Sequence, residues 1–229
     1  MNEEHNKKAV ALWSGGKDGC MACFKAMNSG YSVEYLLNFI LKGSNRSISH
    51  QLNKDVLVKQ SEALGIKLIQ EESEWEKGEE IYIKTFSHLK KQGVDYAIFG
   101  DIFLKEHYDW LKRVSIASGL IPVFPLWGLK TENIITELLD KGFETVIINL
   151  KYDLFGEEWL GEKISQEFID YLTKNGLDPC GEYGEYHTFV TGGPIFNKNV
   201  EITKSVKSIK NNPHKIRTLD ILECRLVKK

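Results

Sequence analysis

Short apolar runs alternate along the first half of the chain with stretches whose apolar positions recur at helical spacing. Ala9–Trp13 reads as a buried strand, followed by a glycine turn and a helix over Asp18–Asn28 that ends before Gly30. The same unit repeats. Val33–Ile40 is a predicted strand, Asn53–Leu64 a helix closed by Gly65, and Ile66–Gln70 a strand. Gly78–Lys91 is a helix followed by Gly93, Tyr96–Phe99 a strand closed by Gly100-Asp101, and Lys105–Ser118 a helix before Gly119. Each of these helices stops at a glycine, the residue that most readily takes the left-handed conformation past a helix end. Strand and helix in alternation predict an α/β fold, a parallel sheet with helices on both faces.

The rhythm changes after Ile121–Phe124, a fifth strand bracketed by Pro122 and Pro125. Glu132–Lys141 and Ile164–Lys174 read as helices and Thr145–Leu150 as a strand. Cys180–Thr188 is glycine-rich and polar, and Val200–Ile209 and Arg217–Val227 read as strands with no helix between them. This divides the chain into residues 1–125 and a smaller α/β region over residues 126–229.

Composition adds limits. The 229 residues are 42% hydrophobic and 27% charged, ordinary globular values, and the net charge of −2 argues against a surface that coats nucleic acid or an anionic membrane. From Asn197 onward nine Lys or Arg stand against three Asp or Glu. This is read as lysines on the wet side of edge strands rather than a nucleic-acid site. The polar start, Met1–Lys8, does not read as a signal peptide, and no stretch approaches the roughly 20 apolar residues of a membrane helix. Four cysteines, Cys20, Cys23, Cys180 and Cys224, fit reduced thiols in a cytoplasmic protein.

The candidate chemistry begins at Ser14-Gly15-Gly16-Lys17-Asp18-Gly19, between the first strand and the first helix. Glycines let a phosphate approach the backbone, and the helix points free N–H groups and its positive dipole end at the anion. Lys17 offers a mobile positive charge and Ser14 a hydroxyl, while Asp18 could hold Mg²⁺ or cap the helix. The spacing is neither that of a Walker A loop nor that of a dinucleotide fingerprint. A second dense segment, Cys180-Gly181-Glu182-Tyr183-Gly184-Glu185-Tyr186-His187-Thr188-Phe189-Val190, is followed by Gly193-Pro194-Ile195-Phe196. Its paired carboxylates could bind a cationic acceptor, hold a metal, or take protons from an attacking amine.

Ser14–Asp18 resembles the pyrophosphate loop of N-type ATP pyrophosphatases, which split ATP into AMP and pyrophosphate while adenylating an acceptor. With the Gly181–Phe189 segment, Gly100-Asp101-Ile102, Phe124–Gly128 and the Asn38–His50 stretch, the chain from about Val10 to about Phe196 resembles the diphthine–ammonia ligase family. Gly19 departs from the family's usual serine. The resemblance implies a Rossmann-like, adenine nucleotide α-hydrolase-like N-terminal half and a C-terminal half on the substrate side. It implies ATP and Mg²⁺, with ammonium as second substrate and elongation factor 2 carrying diphthine as acceptor. It makes Lys17, Asp18, Asp101, Glu182 and Glu185 the catalytic candidates. Ser14, Gly15, Gly16, Lys17, Asp18 and Asn38 would bind nucleotide, with Asp18 on the metal. Gly181, Glu182, Gly184, Glu185, Tyr186, His187 and Thr188 would bind the acceptor.

Three alternatives stay open: the same chemistry on another small acceptor, a tRNA-modifying enzyme, and a nucleotide sensor without catalysis. Neither a membrane nor nucleic acid is the expected partner, and assembly into a homo-oligomer is left open. Cys20 and Cys23 share one helix face and read as core residues rather than metal or redox ligands. His50 and His107 either touch substrate or stand in solvated loops; Trp110 and Trp127 either pack the sheet or stack on a ring.

Overall fold

Ala9, Val10 and Ala11 are apolar side chains on both faces of one strand, and that strand becomes the centre of a sheet covered on both sides. In the computed structural model, residues 7–73, 78–211 and 214–229 are described, so the start of the polar N-terminus (1–6) lies outside them. Strand β1 (Lys7–Leu12) pairs in parallel with β2 (Tyr31–Leu41) on one side and β4 (Tyr96–Ile98) on the other. β3 (Lys67–Ser73) and β5 (Ile121–Val123) complete the order β3-β2-β1-β4-β5. Pro122 sits in an edge strand, where its missing N–H costs no ladder bond.

Helices α1 (Lys17–Asn28) and α2 (Lys54–Leu64) pack with Ala9, Ala11 and Leu36 in one core. Helices α3 (Gly78–Lys91) and α4 (Lys105–Ala117) pack with Val10, Leu37 and Phe39 in another. The Rossmann-like layering is therefore as the pattern predicts. Local signals hold too: Asn53 Oδ1 accepts from the Asp55 N–H at the start of α2, and Gly65 closes that helix at φ 73°.

The C-terminal region contains α5 (Thr131–Asp140), α6 (Gln166–Lys174) and a four-stranded antiparallel sheet in the order β7-β6-β9-β8. β6 is Glu144–Lys151; β8 (Asn199–Lys210) and β9 (Ile216–Val227) form the expected helix-free pair. β8 is an edge strand that leaves Lys204 and Lys207 exposed, in keeping with the basic bias of this stretch. One strand has no counterpart in the sequence reading: β7 (Tyr186–Gly192), which begins inside the segment read as glycine-rich and polar. No helix among the described residues is long and apolar enough to cross a membrane.

The two sheets are joined at the glycine loop. The Val190 N–H donates to the Gly15 carbonyl (3.0 Å), and the Lys17 N–H donates to Thr188 Oγ1 (3.1 Å). Gln60, fully buried on α2, accepts from Trp13 Nε1 (2.8 Å) and donates from Nε2 to the carbonyls of Gly15 (3.0 Å) and Val190 (2.7 Å). Removing this amide takes a partner from three buried groups, the Trp13 indole N–H and the carbonyls of Gly15 and Val190. Gln60→Ala is expected to cost about 3 kcal/mol in urea denaturation, against less than about 0.5 kcal/mol for the half-buried neighbour Lys59→Ala. Equal effects would remove Gln60 from this role.

Candidate functional site

A cavity of about 610 Å³ opens at the carboxyl ends of the parallel strands. It lies where the strand order reverses between β1 and β4, the usual place for a ligand in an open α/β sheet. Ser14, Asp18 and Gly19 line it from the loop and first turn of α1. Asn38 and Phe39 line it from β2, Tyr82 from α3, Gly100 and Asp101 from the end of β4, and His107 and Trp110 from α4. His50 and Glu182 reach in from two loops. Gly100 is set by close approach: a Cβ there would stand 2.8 Å from the Asp18 carbonyl carbon and 2.9 Å from the Gly19 nitrogen. Gly19 itself has room. An added Cβ meets the Leu12 carbonyl oxygen at 3.6 Å and Ser14 Oγ at 4.0 Å, so a serine fits.

Lys17 is not on this cavity wall. Its side chain is 4% exposed, its ammonium donates to Asp18 Oδ2 (2.9 Å) and to the Cys180 carbonyl, and it lies 4.9 Å from the centre of the Tyr186 ring. Burial alone would lower its pKa, but Asp18, Tyr186 and Cys180 outweigh that and hold it charged. Asp18 thus spends one oxygen on Lys17, while Oδ1 is buried without a protein partner. Asn38 is similar: Nδ2 donates to the Trp13 carbonyl (2.8 Å) and Oδ1 has no partner. Buried polar atoms left in this way mark where a ligand belongs.

Among the described residues three carboxylates line the cavity and no Lys or Arg does. Burial, helped by the negative charges of Asp18, Asp101 and Asp178 and opposed by Lys17, pushes the Glu182 carboxyl up to about 8. Asp101 Oδ1 bonds His107 Nδ1, which raises the His107 pKa against the opposing effect of burial. Among the described residues no group of three or more His, Cys, Asp or Glu is arranged to hold a metal. A single free carboxylate oxygen on Asp18 does suit Mg²⁺, which is commonly held by one or two carboxylates together with substrate phosphates.

Of the Cys180–Val190 segment, only Glu182 lines the cavity. Glu185 is buried and its Oε2 accepts from the Tyr183 N–H (2.9 Å). Gly181 (φ 70°) leaves room for the Tyr186 ring, whose hydroxyl donates to the Pro179 carbonyl (2.6 Å), and Gly184 (φ 74°) turns the chain. Thr188 holds the Lys17 N–H. His187 packs behind His50 at 4.7 Å, its pKa lowered to about 4 by burial, Lys17 and Lys151. Asp178 was not singled out from the sequence. Its Oδ1 accepts from the N–H groups of Cys180 (2.9 Å) and Glu182 (3.2 Å), and an Asp-Pro pair at the start of a loop is its visible signal.

His50, His107 and Trp110 all line the cavity; Trp127 does not and instead stacks on Tyr108 at 4.1 Å. Cys20 and Cys23 are buried in the core beneath α1, and burial pushes the Cys23 thiol up to about 12.

Comparison with known proteins adds to this geometry. The family described as diphthamide synthase N-terminal domain matches residues 7–122, and that described as diphthamide synthase C-terminal domain matches residues 130–221. The diphthine–ammonia ligase of Danio rerio is 25% identical over 224 residues, covering 85% of this chain and 86% of that protein. The Homo sapiens protein of the same name is 23% identical, covering 86% and 84%. A solved structure from Methanocaldococcus jannaschii, described as a predicted subunit of tRNA methyltransferase, is 16% identical with a TM-score of 0.46, covering 81% of this chain and 97% of that one.

The raised Glu182 pKa has a consequence for stability. Below pH 4.5 its carboxyl is protonated in both folded and unfolded chains. From 4.5 to about 8 the unfolded chain gives up a proton that the folded one keeps, so stability falls; above 8 the cost is constant. Without nucleotide or divalent metal, the gain in Tm of Glu182→Gln over wild type is expected to be near zero at pH 4, to grow up to pH 8 and then to level. A gain independent of pH would show that Glu182 is not the strained carboxyl.

Proposed function

We propose that this chain, which belongs to the diphthamide synthase family, is an ATP-dependent ligase that activates a carboxylate as its adenylate and converts it to an amide with ammonia. The observation that carries the reading is the juxtaposition of a glycine loop, the unpartnered oxygens of Asp18 and Asn38, and a carboxylate cluster in one cavity. Ser14–Asp18 would hold the β- and γ-phosphates, and Asp18 Oδ1 with those phosphates would hold Mg²⁺, which neutralises charge on the leaving pyrophosphate. Asn38 would face the adenine or ribose. Residues 1–125 would carry the nucleotide and residues 126–229 the acceptor side, with Glu182 reaching across.

The acceptor carboxylate attacks the α-phosphorus and pyrophosphate leaves. Ammonia then attacks the acyl carbon and AMP leaves. Asp18, Asp101 and Glu182, with no Lys or Arg among the described lining residues, draw ammonium from solution. Glu182 is poised to take its proton, since a base with a pKa near the working pH serves best. Asp101, fixed by His107, is a second acceptor for that proton. Glu185 and Lys17 would act through position: one shapes the loop that bears Glu182, the other holds Asp18. The acceptor of the named relatives, diphthine on elongation factor 2, is the acceptor to test first.

The test is product analysis with ATP, Mg²⁺ and ammonium, with and without elongation factor 2 carrying diphthine. AMP and pyrophosphate are expected only with that factor, whose modified histidine gains an amide. No AMP with the factor present would defeat the diphthine reading, and ADP with phosphate would defeat adenylation. Asp18→Asn should lower turnover at least about 100-fold, and Glu182→Gln about 100-fold or more with the KM for ATP little changed. Full activity in either variant would contradict its assigned role.

A further inference from the structure

Lys17 is turned away from the cavity, so the phosphate chain of a nucleotide there needs another side-chain partner. Among the described lining residues four side chains carry ring nitrogens, Trp13, His50, His107 and Trp110, and three of them are engaged. Trp13 Nε1 is bonded to Gln60, Trp110 Nε1 donates to Glu79 (3.0 Å), and His107 is bonded to Asp101. His50 differs. Its ring lies against Gly16, where an added Cβ would collide with it, and its Nδ1 is buried with no partner.

The backbone around His50 is held in place at a cost. Gln51 is the non-glycine residue at positive φ (57°) among the described residues, a conformation that persists only where the surroundings enforce it. Those surroundings come from the C-terminal sheet. Asn149 of β6 donates to the His50 carbonyl (3.1 Å), and Arg46 donates to the Gln51 carbonyl (2.8 Å) while paired with Asp220 of β9 (2.7 Å). Behind the ring, His187 of β7 packs at 4.7 Å. Burial, His187 and Lys17 disfavour a charge on His50, opposed by a backbone hydrogen bond to Thr188.

We infer that His50 is a nucleotide-contacting residue, an imidazole whose Nδ1–H donates to the phosphate chain at Gly16 and which is held there by the C-terminal sheet. This rests on reading the cavity as the nucleotide site. His50→Phe keeps a ring of similar width and removes both nitrogens; His187→Phe does the same one layer back, off the cavity. Calorimetric titration is made with ATP and Mg²⁺, with pyrophosphate and Mg²⁺, and with adenosine. His50→Phe is expected to weaken ATP and pyrophosphate at least about ten-fold and adenosine less than about three-fold, with His187→Phe within about three-fold of wild type throughout. ATP affinity unchanged in His50→Phe, or an equal loss for adenosine, would overturn the inference while leaving the cavity reading intact. Failure of the wild type to bind ATP would overturn both. ¹⁵N-histidine NMR of the wild type needs no variant to fold: the ring nitrogens of His50 must shift on adding ATP, and unshifted nitrogens at saturation would also overturn it.

Discussion

The Gly15 carbonyl is where the molecule is joined. It accepts from the Val190 N–H of the second sheet and from the Gln60 amide of α2, so the turn that would cradle a phosphate is fixed from two directions. Gln60 also ties down Trp13 and Val190, and Thr188 takes the N–H of Lys17. A glycine-rich turn loses much conformational entropy when ordered. Here that cost is met by buried hydrogen bonds from β7 and α2, so the loop can be formed before any ligand arrives. The C-terminal sheet is therefore a structural part of the loop as well as a wall opposite it.

Electrostatics follow from that clamp. The Cys180 carbonyl and the Tyr186 face draw the Lys17 ammonium into the interior, where it orients Asp18. Among the described residues the cavity keeps Asp18, Asp101 and Glu182 as its charged side chains, with His107 drawn to Asp101. Such a site repels a bare polyanion and favours one whose charge is already met by a divalent cation, the loop's N–H groups and the α1 dipole. It favours a cationic second substrate for the same reason.

Much of this was legible in the sequence, for identifiable reasons. Strand, glycine turn and helix could be read at Ala9–Asn28 because burial on both strand faces and the Gly15-Gly16 pair are local signals. β7 could not, since Tyr186–Gly192 mixes His, Thr and Gly and becomes a strand only through pairing with β6. Residue types at the second signature pointed to chemistry, yet Tyr186, Thr188 and Glu185 are turned inward and Glu182 alone lines the cavity. The sequence specifies a side chain's chemistry but not its direction, as Lys17 also illustrates. Gln60 carried a readable signal that was passed over: it occupies the apolar stripe of α2 with Val56, Leu57 and Leu64, where a polar residue must find partners.

The most direct measurement is a crystal structure of the chain with a non-hydrolysable ATP analogue and Mg²⁺. The expected result is phosphates at Ser14–Gly19, the cation on Asp18 Oδ1, the base beside Asn38, and Lys17 still on the Cys180 carbonyl. A nucleotide bound away from the β1–β4 crevice, or a Gly15 loop freed from Val190 and Gln60 when it binds, would contradict the claim that the second sheet builds the nucleotide site.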